Sequence, residues 1–72
     1  MMNVKIRTDF IKLDAMLKYV NAVESGGMAK EVILEGEVKV NGEVCTMRGK
    51  KLYPGDQVAF NGDTYLIENA SN

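Results

Sequence analysis

Six cations and one short polar run are the residues here whose types and spacing could do chemistry. The cations are Lys12, Lys30, Lys39, Arg48, Lys50 and Lys51, and the run is Ser25-Gly26-Gly27. The chemistry they suit is anion binding. A glycine pair ahead of a helix leaves backbone N–H groups open, and the helix dipole makes that end partly positive. Ser25 is a fair cap for the helix that follows, and Lys30 falls within its first turn or so. Read alone, Gly-Gly before a helix is also an ordinary turn. It gains weight if the fold brings Lys12, Lys39 and the Arg48-Gly49-Lys50-Lys51 stretch beside it. Asn41 could touch a sugar or base edge, and it reads equally well as a turn former.

Other chemistry finds little to work with. The chain has no histidine and a single cysteine, Cys45. That thiol has no histidine to activate it and reads as packing beside Val44. No Cys/His cluster offers a zinc site. Asp14, Glu31 and Glu35 read as solvated helix-surface charges rather than as a catalytic carboxylate set. Gly26-Gly27 lacks the Lys-Ser/Thr pair of a nucleotide-hydrolase phosphate loop. The chain is therefore read as non-enzymatic, with no cofactor, metal or small-molecule substrate.

The elements that must position these groups follow from periodicity. Val4, Ile6 and Thr8 alternate with Lys5 and Arg7, the pattern of a half-buried strand. Leu13, Met16, Leu17 and Val20 fall on one face of a helix of about three turns, starting near Thr8, Asp9 or Lys12. Ala29, Val32 and Ile33 make a second stripe, and Gly36 stands where a helix-ending glycine belongs. Two short helices joined by a short turn form a helical hairpin. Val38-Lys39-Val40-Asn41-Gly42-Glu43-Val44 predicts a β-hairpin, because Asn-Gly supplies the two positive φ angles of a type I′ turn. Pro54-Gly55 suits a type II turn. Val58 to Phe60, Asn61-Gly62 and Tyr65 to Ile67 predict a second hairpin, and Glu68 to Asn72 reads as a frayed polar end. Phe10, Tyr19, Tyr53, Phe60 and Tyr65 show no paired aromatic platform in the sequence. The class is α+β, a two-helix hairpin packed on a small, twisted, mainly antiparallel sheet.

Size and charge bound the rest. Seventy-two residues predict a single domain, near the lower limit for folding without disulfides or metals. A lone cysteine suits a reducing cytosol, and no long apolar run predicts a membrane span, so the expected compartment is cytoplasmic. Nine Lys/Arg against ten Asp/Glu give a net charge of -1, which on its own argues against nucleic acid. The sum hides an asymmetry. Between Val38 and Phe60, Lys39, Arg48, Lys50 and Lys51 outweigh Glu43 and Asp56, while Glu24, Glu31, Glu35 and Glu37 gather elsewhere.

The order of these segments resembles a known family. Lys12-Leu13-Asp14, Ser25-Gly26-Gly27-Met28-Ala29-Lys30, Glu35 to Gly42 and Tyr53-Pro54-Gly55-Asp56 are similar to the small RNA-binding module first recognised in the fourth small-subunit ribosomal protein. This is the S-four or αL domain, and the resemblance covers a core motif at residues 12–60 of a domain spanning 1–72. Lys12 stands where those domains usually carry arginine. Lys30 matches the basic residue after alanine in the second helix. Lys39, Asn41 and Gly42 match the Val-Arg/Lys-Val-Asn-Gly hairpin, and the Pro-Gly-Asp turn is structural. The departure is at Gly26 and Gly27, where many members carry arginine and a hydroxyl residue. The Ser-Gly-Gly version looks like the small, free-standing bacterial members of the YaaA/YbcJ type.

The resemblance implies a bacterial RNA-binding protein that recognises structured RNA by phosphate and shape contacts, with ribosomal RNA or ribosome assembly as the expected setting. Lys12, Lys30, Lys39, Arg48, Lys50 and Lys51 would meet phosphates, with Ser25, Gly26 and Gly27 offering a cap and backbone donors. The alternative is an adaptor that keeps the fold and binds a protein partner, ribosomal or other, through its acidic surface. Cations sharing one face would favour RNA, and scattered cations the adaptor.

Overall fold

A computed structural model describes residues 1–70. The elements in chain order are β1 (Met2–Ile6), β2 (Ile11–Lys12), α1 (Leu13–Tyr19), α2 (Gly26–Leu34), β3 (Val38–Val40), β4 (Glu43–Val44), β5 (Lys51–Leu52), β6 (Gln57–Phe60) and β7 (Asp63–Asn69). A five-stranded sheet runs β1-β7-β6-β3-β4, and β2 pairs with β5 in a separate two-stranded ladder. β1 lies parallel to β7, and the other pairs are antiparallel. The expected α+β architecture is therefore present, with a sheet that is mixed and mainly antiparallel.

Both Asn-Gly pairs form tight hairpin turns. Asn41 and Gly42 have φ of 52° and 86°, and Asn61 and Gly62 have 53° and 84°. This is the left-handed backbone that a type I′ turn requires. At Pro54-Gly55 the Asp56 N–H donates to the Tyr53 carbonyl at 2.9 Å, closing the expected turn.

The helices end alike. After α2, Gly36 N–H donates to the Ile33 carbonyl and Glu37 N–H to the Val32 carbonyl. Gly36 sits at φ 79°, which completes a Schellman cap. α1 closes with the same pair of bonds, Asn21 to Lys18 and Ala22 to Leu17, and here Asn21 takes the left-handed position at φ 60°. That cap shortens the helix. α1 holds seven residues, about two turns rather than three, and Val20 is its half-buried cap.

The core lies between the helix pair and one sheet face. Leu13, Met16 and Leu17 from α1, Ala29 and Ile33 from α2, and Val38, Leu52 and Val58 from the strands are fully buried. Val4, Ile6, Val23, Val40, Tyr65 and Ile67 complete it, and among the described residues no charged side chain is buried. The sequence pattern of β1 holds at Val4 and Ile6, but the strand stops before Thr8. The polar end is ordered further than expected. Glu68 and Asn69 belong to β7, and Ala70 N–H donates to the Ile6 carbonyl at 2.8 Å. Ser71 and Asn72 lie outside the described residues.

Candidate nucleic-acid interface

The β2–β5 ladder organises the cations. Its register sets Ile11 opposite Leu52 and Lys12 opposite Lys51. Side chains alternate across a strand, so one pair turns in and the other out. Leu52 is fully buried and Ile11 packs against the core. Lys12 and Lys51 are both exposed on the other side. Lys12 is at once the end of β2 and the N-cap of α1.

The loop before β5 is tied to the same place. Leu13 N–H donates to the Lys50 carbonyl at 2.9 Å, and Asp14 N–H to the Arg48 carbonyl at 3.1 Å. Two of the open N–H groups at the start of α1 are thereby satisfied by the basic stretch itself. In the Arg48-Gly49-Lys50-Lys51 stretch, Lys51 opens β5, while the Arg48 and Lys50 carbonyls cap α1. Lys12, Arg48, Lys50 and Lys51 are brought together by backbone bonds. None of them has an ion-pair partner among the described residues.

Ser25 caps α2 as expected, its Oγ accepting the Met28 N–H at 3.2 Å. Gly26 and Gly27 do not precede the helix but form its first turn. Both are exposed, and no acidic residue shares that turn. A Cβ at Gly26 would meet nothing within 4 Å, and one at Gly27 only the Ser25 Oγ at 3.8 Å. The backbone there is open to approach from solvent. Lys30 is exposed one turn further along α2.

Two expected contact residues are placed differently. Lys39 lies between the buried Val38 and Val40, so its side chain leaves the sheet on the face away from the core. The Asn41 side chain is exposed but is held by hydrogen bonds within the protein. Its Oδ1 accepts the Gln57 N–H at 2.9 Å, and its Nδ2 donates to Asp56 Oδ1 at 3.1 Å. Asp56 Oδ2 in turn accepts the Tyr53 N–H at 2.8 Å. Asn41 therefore locks the first hairpin to the Pro-Gly-Asp turn.

The acids are partly segregated. Glu35 caps the far end of α2, opposite the glycines. A hydrogen bond with Glu37, together with slight burial and the charge of the same neighbour, raises the Glu35 carboxyl above its ordinary 4.5. Glu24, however, is exposed beside Ser25, and Glu31 is exposed on α2 itself.

The fold also assembles an aromatic contact that the sequence did not signal. The Phe10 and Tyr53 rings lie 5.9 Å apart at an interplanar angle of 49°. Lys51 Nζ sits 4.8 Å from the Phe10 ring centre. The only available signal was the in-out alternation of Phe10-Ile11-Lys12 and Lys51-Leu52-Tyr53, too short to be read without the pairing.

Known proteins resemble this chain in sequence and in fold. The chain is 46% identical over 59 residues to the probable ribosome maturation protein RlbA of Bacillus subtilis, an alignment covering 82% of this chain and 83% of that protein. It is 42% identical over 57 residues to the putative RNA-binding protein YbcJ of Escherichia coli, covering 79% and 81%. The solution structure of YbcJ, described as having an αL motif involved in RNA binding, superposes with a TM-score of 0.72. That superposition covers 94% of this chain and 87% of YbcJ at 33% identity. Vibrio cholerae heat shock protein 15 shares the fold at a TM-score of 0.73 and 23% identity, over 86% of this chain and 66% of that one. The helix pair, the capped glycine turn and the two Asn-Gly hairpins fall within residues 4–68, which match the S4 domain as a unit, and the chain belongs to that family.

Proposed function

We propose that this protein binds structured RNA without catalysing a reaction, and that its target is ribosomal RNA or a ribosomal particle in assembly. The observation that carries the reading is the Lys12–Lys51 pair. Like charges placed directly opposite one another repel and cost stability. Here they are exposed, without an ion-pair partner among the described residues, and flanked in the chain fold by Arg48 and Lys50. A phosphate backbone relieves that repulsion. The open first turn of α2 offers a second set of donors for phosphate oxygens. Lys30 and Lys39 extend the positive field, Lys39 from the other sheet face, and are secondary contacts. Duplex or folded RNA suits this chemistry, since phosphates and 2′-hydroxyls are what such RNA presents.

The ribosomal setting rests on the relative named for ribosome maturation. The family and the relatives give no support to a protein adaptor working through the acidic surface.

The test is a double substitution, Lys50→Glu with Lys51→Glu. Both side chains are exposed, so the fold should survive. Retention on ribosomal RNA at low and high salt is compared with the unchanged protein. A phosphate that is no longer neutralised keeps its counterions, so binding should fall and its salt dependence should flatten. Equal retention by both proteins at both salts would overturn the assignment.

A further inference from the structure

The solvent side of the β2–β5 ladder carries four residues, not two. Phe10 and Tyr53 come one residue beyond the paired Ile11 and Leu52, at the alternation positions of Lys12 and Lys51, and their ring centres lie 5.9 Å apart. Lys51 reaches diagonally across to Phe10 at 4.8 Å. Two aromatic residues and two lysines thus share one side of the ladder.

We propose that Phe10, Tyr53, Lys12 and Lys51 form a subsite for a single unpaired nucleobase and its adjoining phosphate. The proposal rests on the RNA-binding reading and adds to it a base-contacting element and a preference for unpaired nucleotides.

Burial separates this cluster from ordinary packing. Ile11 and Leu52 already fill the core side of the ladder. Tyr53 remains 48% exposed, and its hydroxyl has no partner among the described residues. The buried Tyr65 and the tethered Tyr19, whose hydroxyl donates to the Lys5 carbonyl, are held quite differently. An exposed ring beside two cations matches the two parts of a nucleotide. The base offers a π face for stacking, and the phosphate offers negative charge. The Lys51–Phe10 contact fixes one ammonium at the edge of the stacking site. Bases inside a duplex are not available to such a site, so a bulge, a loop or a strand end is what it selects.

The Tyr53 backbone, whose N–H donates to Asp56 Oδ2, is untouched by side-chain substitution, which makes Tyr53→Leu a suitable probe. Affinity is measured for a blunt RNA duplex and for the same duplex carrying one bulged nucleotide. The unchanged protein should prefer the bulged RNA by about tenfold, the scale of one stacked base. Tyr53→Leu should lose that preference and keep its duplex affinity, while Tyr53→Phe should retain both. A second readout needs no variant: the Tyr53 and Phe10 ring-proton resonances should shift with bulged RNA and not with the duplex. No preference in the unchanged protein, the same preference in Tyr53→Leu, or ring resonances that ignore the bulge would each overturn the subsite, and duplex binding would leave the RNA-binding reading standing. Binding to neither RNA would overturn that reading and the subsite with it.

Discussion

Asn41 shows how a turn residue can become a structural hub. Its side chain uses both ends, accepting from Gln57 and donating to Asp56, while its backbone holds a left-handed turn. Asn41→Gly keeps the backbone conformation available and deletes only the side-chain bonds. Stability should fall by about 1–2 kcal/mol, measured by urea unfolding. No change would mean that the residue serves the turn alone. Gly27 asks the opposite question. It is helical, has no positive φ, and a Cβ there touches only Ser25 Oγ at 3.8 Å. Gly27→Val should therefore fold with stability within about 0.5 kcal/mol of the unchanged protein. RNA affinity should drop, because the side chain covers the open N–H groups of the first turn. Thermal melts and binding are read together, and a folded variant with unaltered affinity would remove the backbone from the interface.

α2 is polar in the sense that its two ends differ. Its first turn is capped by Ser25 and carries no acid, while Glu35 closes the other end beside Glu37. A helix C-terminus is partly negative, so acids there are held at a cost. The Glu35 carboxyl is raised by its neighbour, chiefly through its hydrogen bond with Glu37 and further by slight desolvation and the Glu37 charge. By linkage, an acid whose folded value is raised binds its proton more tightly when folded. Its stabilising contribution is present below the unfolded value and is lost as pH rises through the raised folded value. Glu37→Gln should return the Glu35 titration toward 4.5, followed by NMR of the side-chain carboxyl. A Glu35 titration that stays raised in this variant would mean that Glu37 is not the cause.

One continuous core holds the whole arrangement. Leu17 is fully buried on α1, in the same cluster as Ile33 of α2 and Val58 of β6. Leu17→Ala should cost about 2–5 kcal/mol, as buried leucine truncations do. A domain of this size has only about 5 kcal/mol or somewhat more to lose. The variant should therefore be largely unfolded or melt far lower, with helix and sheet signals disappearing in one transition in circular dichroism. An unchanged melting temperature would contradict the packing of α1. The molecule as a whole carries a net charge of -1, so RNA affinity must come from a local cluster and not from the overall field.

What the sequence determined by itself was whatever depends on neighbours along the chain. Asn41-Gly42, Asn61-Gly62, Pro54-Gly55 and Gly36 announced their turns because positive φ restricts the residue types at those positions. Leu13, Met16 and Leu17, and Ala29 with Ile33, announced helix faces because burial imposes the helical period. The matching segment order also made the family legible. Tertiary structure decided what depends on distant pairing. The two-residue strands β2 and β5 are too short to show any period, so nothing local could foretell that Lys12 faces Lys51 or that Phe10 meets Tyr53. The same holds for the parallel pairing of β1 with β7, which ordered the Glu68 to Ala70 segment. Lys39 was readable as exposed, but only the position of the core showed which way its face of the sheet looks. The candidate site was therefore legible as a set of cations, and its shape was not, because a site is built by contacts between residues far apart in the chain.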